Sequence, residues 1–131
     1  MYKHCVFIFF FSFSFLISMA GKDITVSSLN NKIQLSFHHA DDGTVSYSVL
    51  YAGKPAIAAS ALGFRLKEPT LSLLNFDLLA VDSSEVPSSW APVWGEVKPI
   101  QDIHRQLSLI LSGKSKEKIL INLIFRVFDD G

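Results

Sequence analysis

From residue 21 onward, apolar residues recur at every second position and turn residues interrupt them at short intervals. Side chains alternate faces in a strand and repeat every 3.6 residues in a helix, so this pattern restricts the chain to antiparallel strands and hairpins. Ile33, Leu35 and Phe37 alternate with Gln34, Ser36 and His38, then Asp41, Asp42 and Gly43 supply a turn, and Val45, Tyr47, Val49 and Tyr51 resume the alternation. The pair reads as a hairpin with one buried face. Ala52, Gly53 and Lys54 form a second tight turn into a short strand over residues 55–59, which predicts a three-stranded meander.

Further along, Leu62, Phe64 and Leu66 alternate as a short strand, and the leucine-rich run 71–81 is read as a loop and then a strand ending near Ser83. Residues 83–99 hold Pro87, Pro92 and Pro99 among serines, which predicts a long ordered loop. Leu107, Leu109 and Leu111 alternate before Gly113, and residues 114–118 form a charged turn. In the last strand Ile119, Ile121, Leu123, Phe125 and Val127 share one face while Leu120, Ile124 and Phe128 share the other. Apolar on both faces, it is expected in the middle of a sheet or between two layers. The Asp129-Asp130-Gly131 that follows repeats the turn at 41–43, so a partner strand is expected to continue, with this chain a truncated piece. The fold class expected is all-β, an antiparallel and incomplete β-sandwich.

Residues 1–20 carry a different pattern. Lys3 and His4 open them, residues 5–17 are almost purely apolar, and Ser18 and Ala20 place small side chains where a signal peptidase cuts. The apolar stretch is shorter than the roughly 20 residues of a spanning helix. A signal peptide over residues 1–20, cleaved after Ala20, is therefore expected, with a secreted or periplasmic product over 21–131 and no membrane association after cleavage. Cys5, the one cysteine, leaves with it, so the exported part holds no internal disulfide.

Twelve basic residues balance twelve acidic ones, which leaves no net field to gather nucleic acid. His38 and His39 point to opposite faces of one strand, and His104 has no cysteine or second histidine at ligand spacing, so no metal site is expected and structural roles are assigned to all three. No Gly-x-Ser-x-Gly is present, and Asp41, Asp42, Asp129 and Asp130 form turns rather than a catalytic pair. No catalytic or cofactor-binding residue is assigned. The unusual segment is WAPVWGE at 90–96, which sets both tryptophans beside a carboxylate. Such rings commonly plug the open end of a β-sandwich and anchor a loop; they also stack on sugar faces. Trp90, Trp94 and Glu96 are thus candidate carbohydrate or interdomain contacts.

With that segment the sequence resembles the N-terminal domain of glycoside hydrolase family 97. The resemblance rests on ITVSS at 24–28, VSYSV at 45–49 running into GKP at 53–55, SALGF at 60–64, WAPVWGE at 90–96 with IHRQLSLIL at 103–111, and FRVFDDG at 125–131, in that order. It spans essentially the whole of residues 21–131. Asp102, His104 and Arg105 depart from the tyrosine- and asparagine-containing pattern expected after Ile100. The resemblance implies a supersandwich-like domain of a secreted enzyme acting on α-glucosides or α-galactosides, with calcium near the active site. It also implies that the catalytic carboxylates lie in a C-terminal barrel of the same polypeptide, that an α-linked oligosaccharide is the ligand, and that this chain alone is inactive. The alternatives are a free-standing carbohydrate-binding sandwich with Trp90 and Trp94 as its platform, or a surface scaffold domain.

Overall fold

The computed structural model describes residues 21–67, 71–94 and 99–130; the signal segment 1–20 and Glu96 lie outside the described residues. Nine strands are described: β1 (Lys22–Ser27), β2 (Ile33–His39), β3 (Val45–Tyr51), β4 (Lys54–Leu62), β5 (Phe64–Leu66), β6 (Leu71–Leu73), β7 (Phe76–Trp90), β8 (Ile100–Gly113) and β9 (Leu120–Val127). They form a four-stranded sheet in the order β1-β2-β3-β4, a β5-β6 ribbon, and a three-stranded sheet in the order β7-β8-β9. Every pairing is antiparallel, as the period-two pattern predicts.

The two larger sheets face each other, and their apolar faces meet in one core. Phe37 and Leu35 of β2, Val26 of β1 and Val45 of β3 pack toward Leu107, Leu109 and Leu111 of β8, Val127 of β9 and Phe76 of β7. Phe125 of β9 reaches across to the rings of Phe37 and Tyr47, at 6.3 and 6.0 Å between centroids. Phe64 meets Phe76 edge-on at 5.8 Å, which closes one side of the core with the β5-β6 ribbon. Each fully buried Leu or Phe contributes about 1.5–3 kcal/mol relative to exposure, so this apolar packing is the main force holding the layers together.

The turns follow from local chemistry. At 41–43 the Gly43 N–H donates to Ala40 O, the Thr44 N–H and hydroxyl both donate to Asp42 Oδ1, and Gly43 sits at φ 89°. A Cβ there would come within 2.7 Å of the Phe76 carbonyl oxygen, so only glycine lets the start of β7 dock on this turn. Ala52 and Gly53 both have positive φ, 49° and 77°, the geometry of a two-residue turn whose twist matches the β3-β4 hairpin.

Several expectations are corrected. The meander has four strands, because β1 adds to it through the alternation of Ile24 and Val26 with Asp23, Thr25 and Ser27. β4 runs from Lys54 to Leu62, longer than residues 55–59, with irregular register opposite Tyr47 to Leu50. The expected loop over 83–99 is strand as far as Trp90: β7 pairs continuously with β8, Ser83 opposite Leu107 and Trp90 opposite Ile100. Pro87 fits because β7 is an edge strand, where a missing N–H leaves no ladder bond broken on the solvent side. Strand β9 meets the core through one face, as expected for a strand between layers, and among the described residues it is the last strand of its sheet.

Candidate functional site

At the end of the β7-β8-β9 sheet the alternation brings five side chains to one face. Trp90 lies opposite Ile100, Asp102 and His104 follow at two-residue intervals on β8, and Phe128 lies one step past the Arg105–Val127 pair, beside His104. A cleft of about 490 Å³ opens here, lined by Trp90, by the β8 stretch 100–103 and by Phe128, Asp129 and Asp130, with Leu29 from the β1-β2 turn.

Two polar arrangements fix its walls. The His104 ring is 4% exposed and lies against Phe128 at 4.7 Å between centroids. Its Nδ1 stands 3.2 Å from Asp102 Oδ1, so an Nδ1–H donates to the carboxylate, and Nε2 is buried without a hydrogen bond. That pair holds Asp102 against β8. On the opposite wall, the Asn30 N–H donates to Asp129 Oδ1 at 2.8 Å and the Asn30 side-chain amide donates to Asp129 O at 3.1 Å. The Asn30 Oδ1 in turn accepts from Ser28 Oγ and Lys32 N, which ties the β1-β2 turn to the end of β9.

Of the sequence-predicted contacts, Trp90 lines the cleft and is 54% exposed, while Trp94 is 87% exposed and not part of the lining. Neither ring plugs the end of the sandwich, because the strand carries Trp90 to the sheet's rim and Trp94 stands beyond it. Glu96 lies outside the described residues. Asp102, Phe128 and Asp129 were not singled out as contacts from sequence; the signal was the strand parity that places Asp102 and Ile100 on Trp90's face.

The other polar groups of interest are dispersed. His38 is bound to Asp23 through Nδ1, and His39, on the opposite face, places Nε2 2.9 Å from Phe76 O. Among the described residues no group of three or more His, Cys, Asp or Glu side chains is arranged to hold a metal ion. The cleft offers an exposed indole face and carboxylate oxygens, which can stack on a ring and accept hydroxyl hydrogen bonds.

Together these features define an antiparallel β-sandwich domain with an aromatic, carboxylate-edged cleft at one end of its smaller sheet. The sequence model of the family described as "Glycosyl-hydrolase 97 N-terminal" matches residues 26–131. The chain belongs to that family, the N-terminal domain of glycoside hydrolase family 97 enzymes. Among solved structures, a family 97 enzyme from Pseudoalteromonas sp. strain K8 in complex with acarbose superposes at a TM-score of 0.69 and 26% identity, over 81% of this chain and 16% of that one. A variant from the same strain, in complex with panose, gives the same figures. A β-arabinopyranosidase structure, at TM-score 0.69 and 22% identity over 82% of this chain and 17% of that one, shares the fold.

Proposed function

We propose that this domain is the noncatalytic N-terminal part of a secreted or periplasmic glycoside hydrolase of the α-glucosidase or α-galactosidase type, exported by residues 1–20. The catalytic carboxylates and the calcium that the family resemblance implies belong, in this reading, to a C-terminal barrel of the same polypeptide. The observation that carries it is the family match over residues 26–131 together with an aligned region that makes up only 16% of the acarbose-bound relative. A domain occupying so small a share of an enzyme leaves the chemistry to the remainder.

Within that role, the cleft at Trp90 contacts an α-linked oligosaccharide. Acarbose and panose, the compounds named for the relatives, are oligosaccharide-like molecules whose ring faces suit an exposed indole. One ring on a shallow rim gives weak binding, on the order of millimolar. Titration with panose while following tryptophan fluorescence tests this: a saturable change lost in Trp90→Ala is expected. An unchanged signal up to high millimolar panose overturns the sugar contact and favours the same surface as an interdomain contact.

A further inference from the structure

The glycine that lets β7 dock on the β2-β3 turn also makes that turn chemically vulnerable. A Cβ at position 43 would lie 2.7 Å from the Phe76 carbonyl oxygen, at φ 89°, so the docking requires a residue without a side chain. The same bareness leaves the Gly43 amide nitrogen unshielded beside the Asp42 carboxyl group. A five-membered ring closes when that nitrogen bonds to the side-chain carbon Cγ of the preceding aspartate, and a side chain on the following residue hinders the closure. Among the described residues Asp42–Gly43 is the one Asp-Gly pair.

In the folded turn the groups that ring closure needs are held elsewhere. The Gly43 N–H, on the attacking atom, donates to Ala40 O at 2.9 Å. Asp42 Oδ1 accepts from the Thr44 hydroxyl at 2.7 Å and from the Thr44 N–H at 2.8 Å. Those bonds hold the carboxyl group in its ionised form, whereas closure expels the hydroxyl of the neutral acid. The peptide between the two residues is pinned as well. Asp42 O accepts from the Asn75 side-chain amide at 3.2 Å, and Gly43 O accepts from the Phe76 N–H at 2.7 Å. Turning Asp42 to bring Cγ onto the nitrogen therefore breaks its bonds to Thr44 and loosens the turn from the start of β7.

We propose that Asp42 is a site of spontaneous isoaspartate formation that the folded turn silences, so that modification there records the time the chain spends unfolded. In the unfolded chain the Gly43 nitrogen bonds to Cγ of the protonated Asp42 side chain, and the amide hydrogen and the carboxyl hydroxyl leave together as water. Water then reopens the ring. Addition at Cγ restores aspartate; addition at the main-chain carbonyl carbon leaves Cγ bonded to Gly43 and gives isoaspartate, with Cβ now part of the main chain. The water lost in the first step returns in the second, so composition and oxidation state are unchanged and no co-reactant is required. The extra main-chain atom lengthens the turn. It then no longer holds Gly43 O on the Phe76 N–H while Thr44 bridges Asn75, and a modified chain does not dock β7.

The test holds the full chain at neutral pH and physiological temperature, in buffer and in concentrated guanidinium chloride, and digests samples with trypsin over time. The peptide 33–65 carries Asp41 and Asp42 as its only aspartates and has no asparagine, and electron-transfer fragmentation assigns isoaspartate to one or the other. Isoaspartate at Asp42 is expected to accumulate about tenfold faster or more in denaturant, because in buffer only locally opened turns react. Thr44→Val keeps the N–H bond and loses the hydroxyl; it is expected to speed the reaction severalfold in buffer and to leave the rate in denaturant unchanged. Asp42→Glu, whose closure would need a six-membered ring, is expected to abolish the signal in both. On dilution from denaturant, unmodified chains are expected to recover the strand circular-dichroism signal and isoaspartate-bearing chains to remain in the misfolded fraction. Equal rates in buffer and denaturant, no isoaspartate at Asp42 in denaturant, or equal recovery of modified and unmodified chains overturns the proposal.

Discussion

Asn30 and Asp129, 99 residues apart in sequence, are joined by two hydrogen bonds that fasten the β1-β2 turn to the end of β9. The turn is itself built around Asn30, whose side-chain oxygen accepts from Ser28 and Lys32, while Asn31 takes the left-handed conformation at φ 57° that Asn tolerates. A local turn thereby becomes a clamp between the two sheets at the rim of the cleft.

Asn30→Ala removes the side chain's donor and both of its acceptor roles and is expected to lower stability by about 1–2 kcal/mol, the range for losing partly exposed hydrogen bonds that organise a turn. Urea denaturation measures this. A change below 0.3 kcal/mol, allowing about that much experimental scatter, contradicts the clamp.

Leu109→Ala and Leu120→Ala separate the two flanks of the fold. Leu109 is fully buried and Leu120 is 65% exposed. The first is expected to cost about 2–5 kcal/mol by cavity formation and the second less than about 0.5 kcal/mol. Equal effects in denaturant titrations contradict the placement of the core on β8.

Gly43→Ala forces a Cβ against the Phe76 carbonyl at a backbone angle that L residues rarely adopt. The expected loss exceeds about 1 kcal/mol, by strain at the turn and displacement of β7. Thermal melting at matched pH checks it.

Asp42 supplies a pH signature. The Thr44 hydroxyl, and after it the Thr44 N–H, donates to its carboxylate and holds its pKa below the ordinary 3.8, with a smaller contribution from Lys114. A depressed carboxyl pKa stabilises the fold above the unfolded value, and that contribution disappears as pH falls through the lower folded value. Carbon-13 titration of the Asp42 carboxyl is expected to show a midpoint below 3.8, moving upward in Thr44→Val. A midpoint at or above the ordinary value contradicts the cap.

The strands with clean alternation, β2, β3 and β9, and the turn at Asp41 to Gly43 could be read directly from sequence, because period and turn chemistry are local properties. Residues 83–90 could not: Pro87 argues for a loop until the strand is known to lie at a sheet edge, which only the long-range pairing with β8 reveals. Trp90 was visible as unusual, but its neighbours were not, since Phe128 and Asp129 reach it through the β8-β9 register and the Asn30 turn.

The proposal that the groups performing glycoside hydrolysis lie outside this domain is tested by assaying the purified chain on 4-nitrophenyl α-glucoside and α-galactoside. No turnover above the uncatalysed rate is expected, with or without added calcium. Turnover that survives repurification and falls when Asp102 or Asp129 is replaced would contradict it.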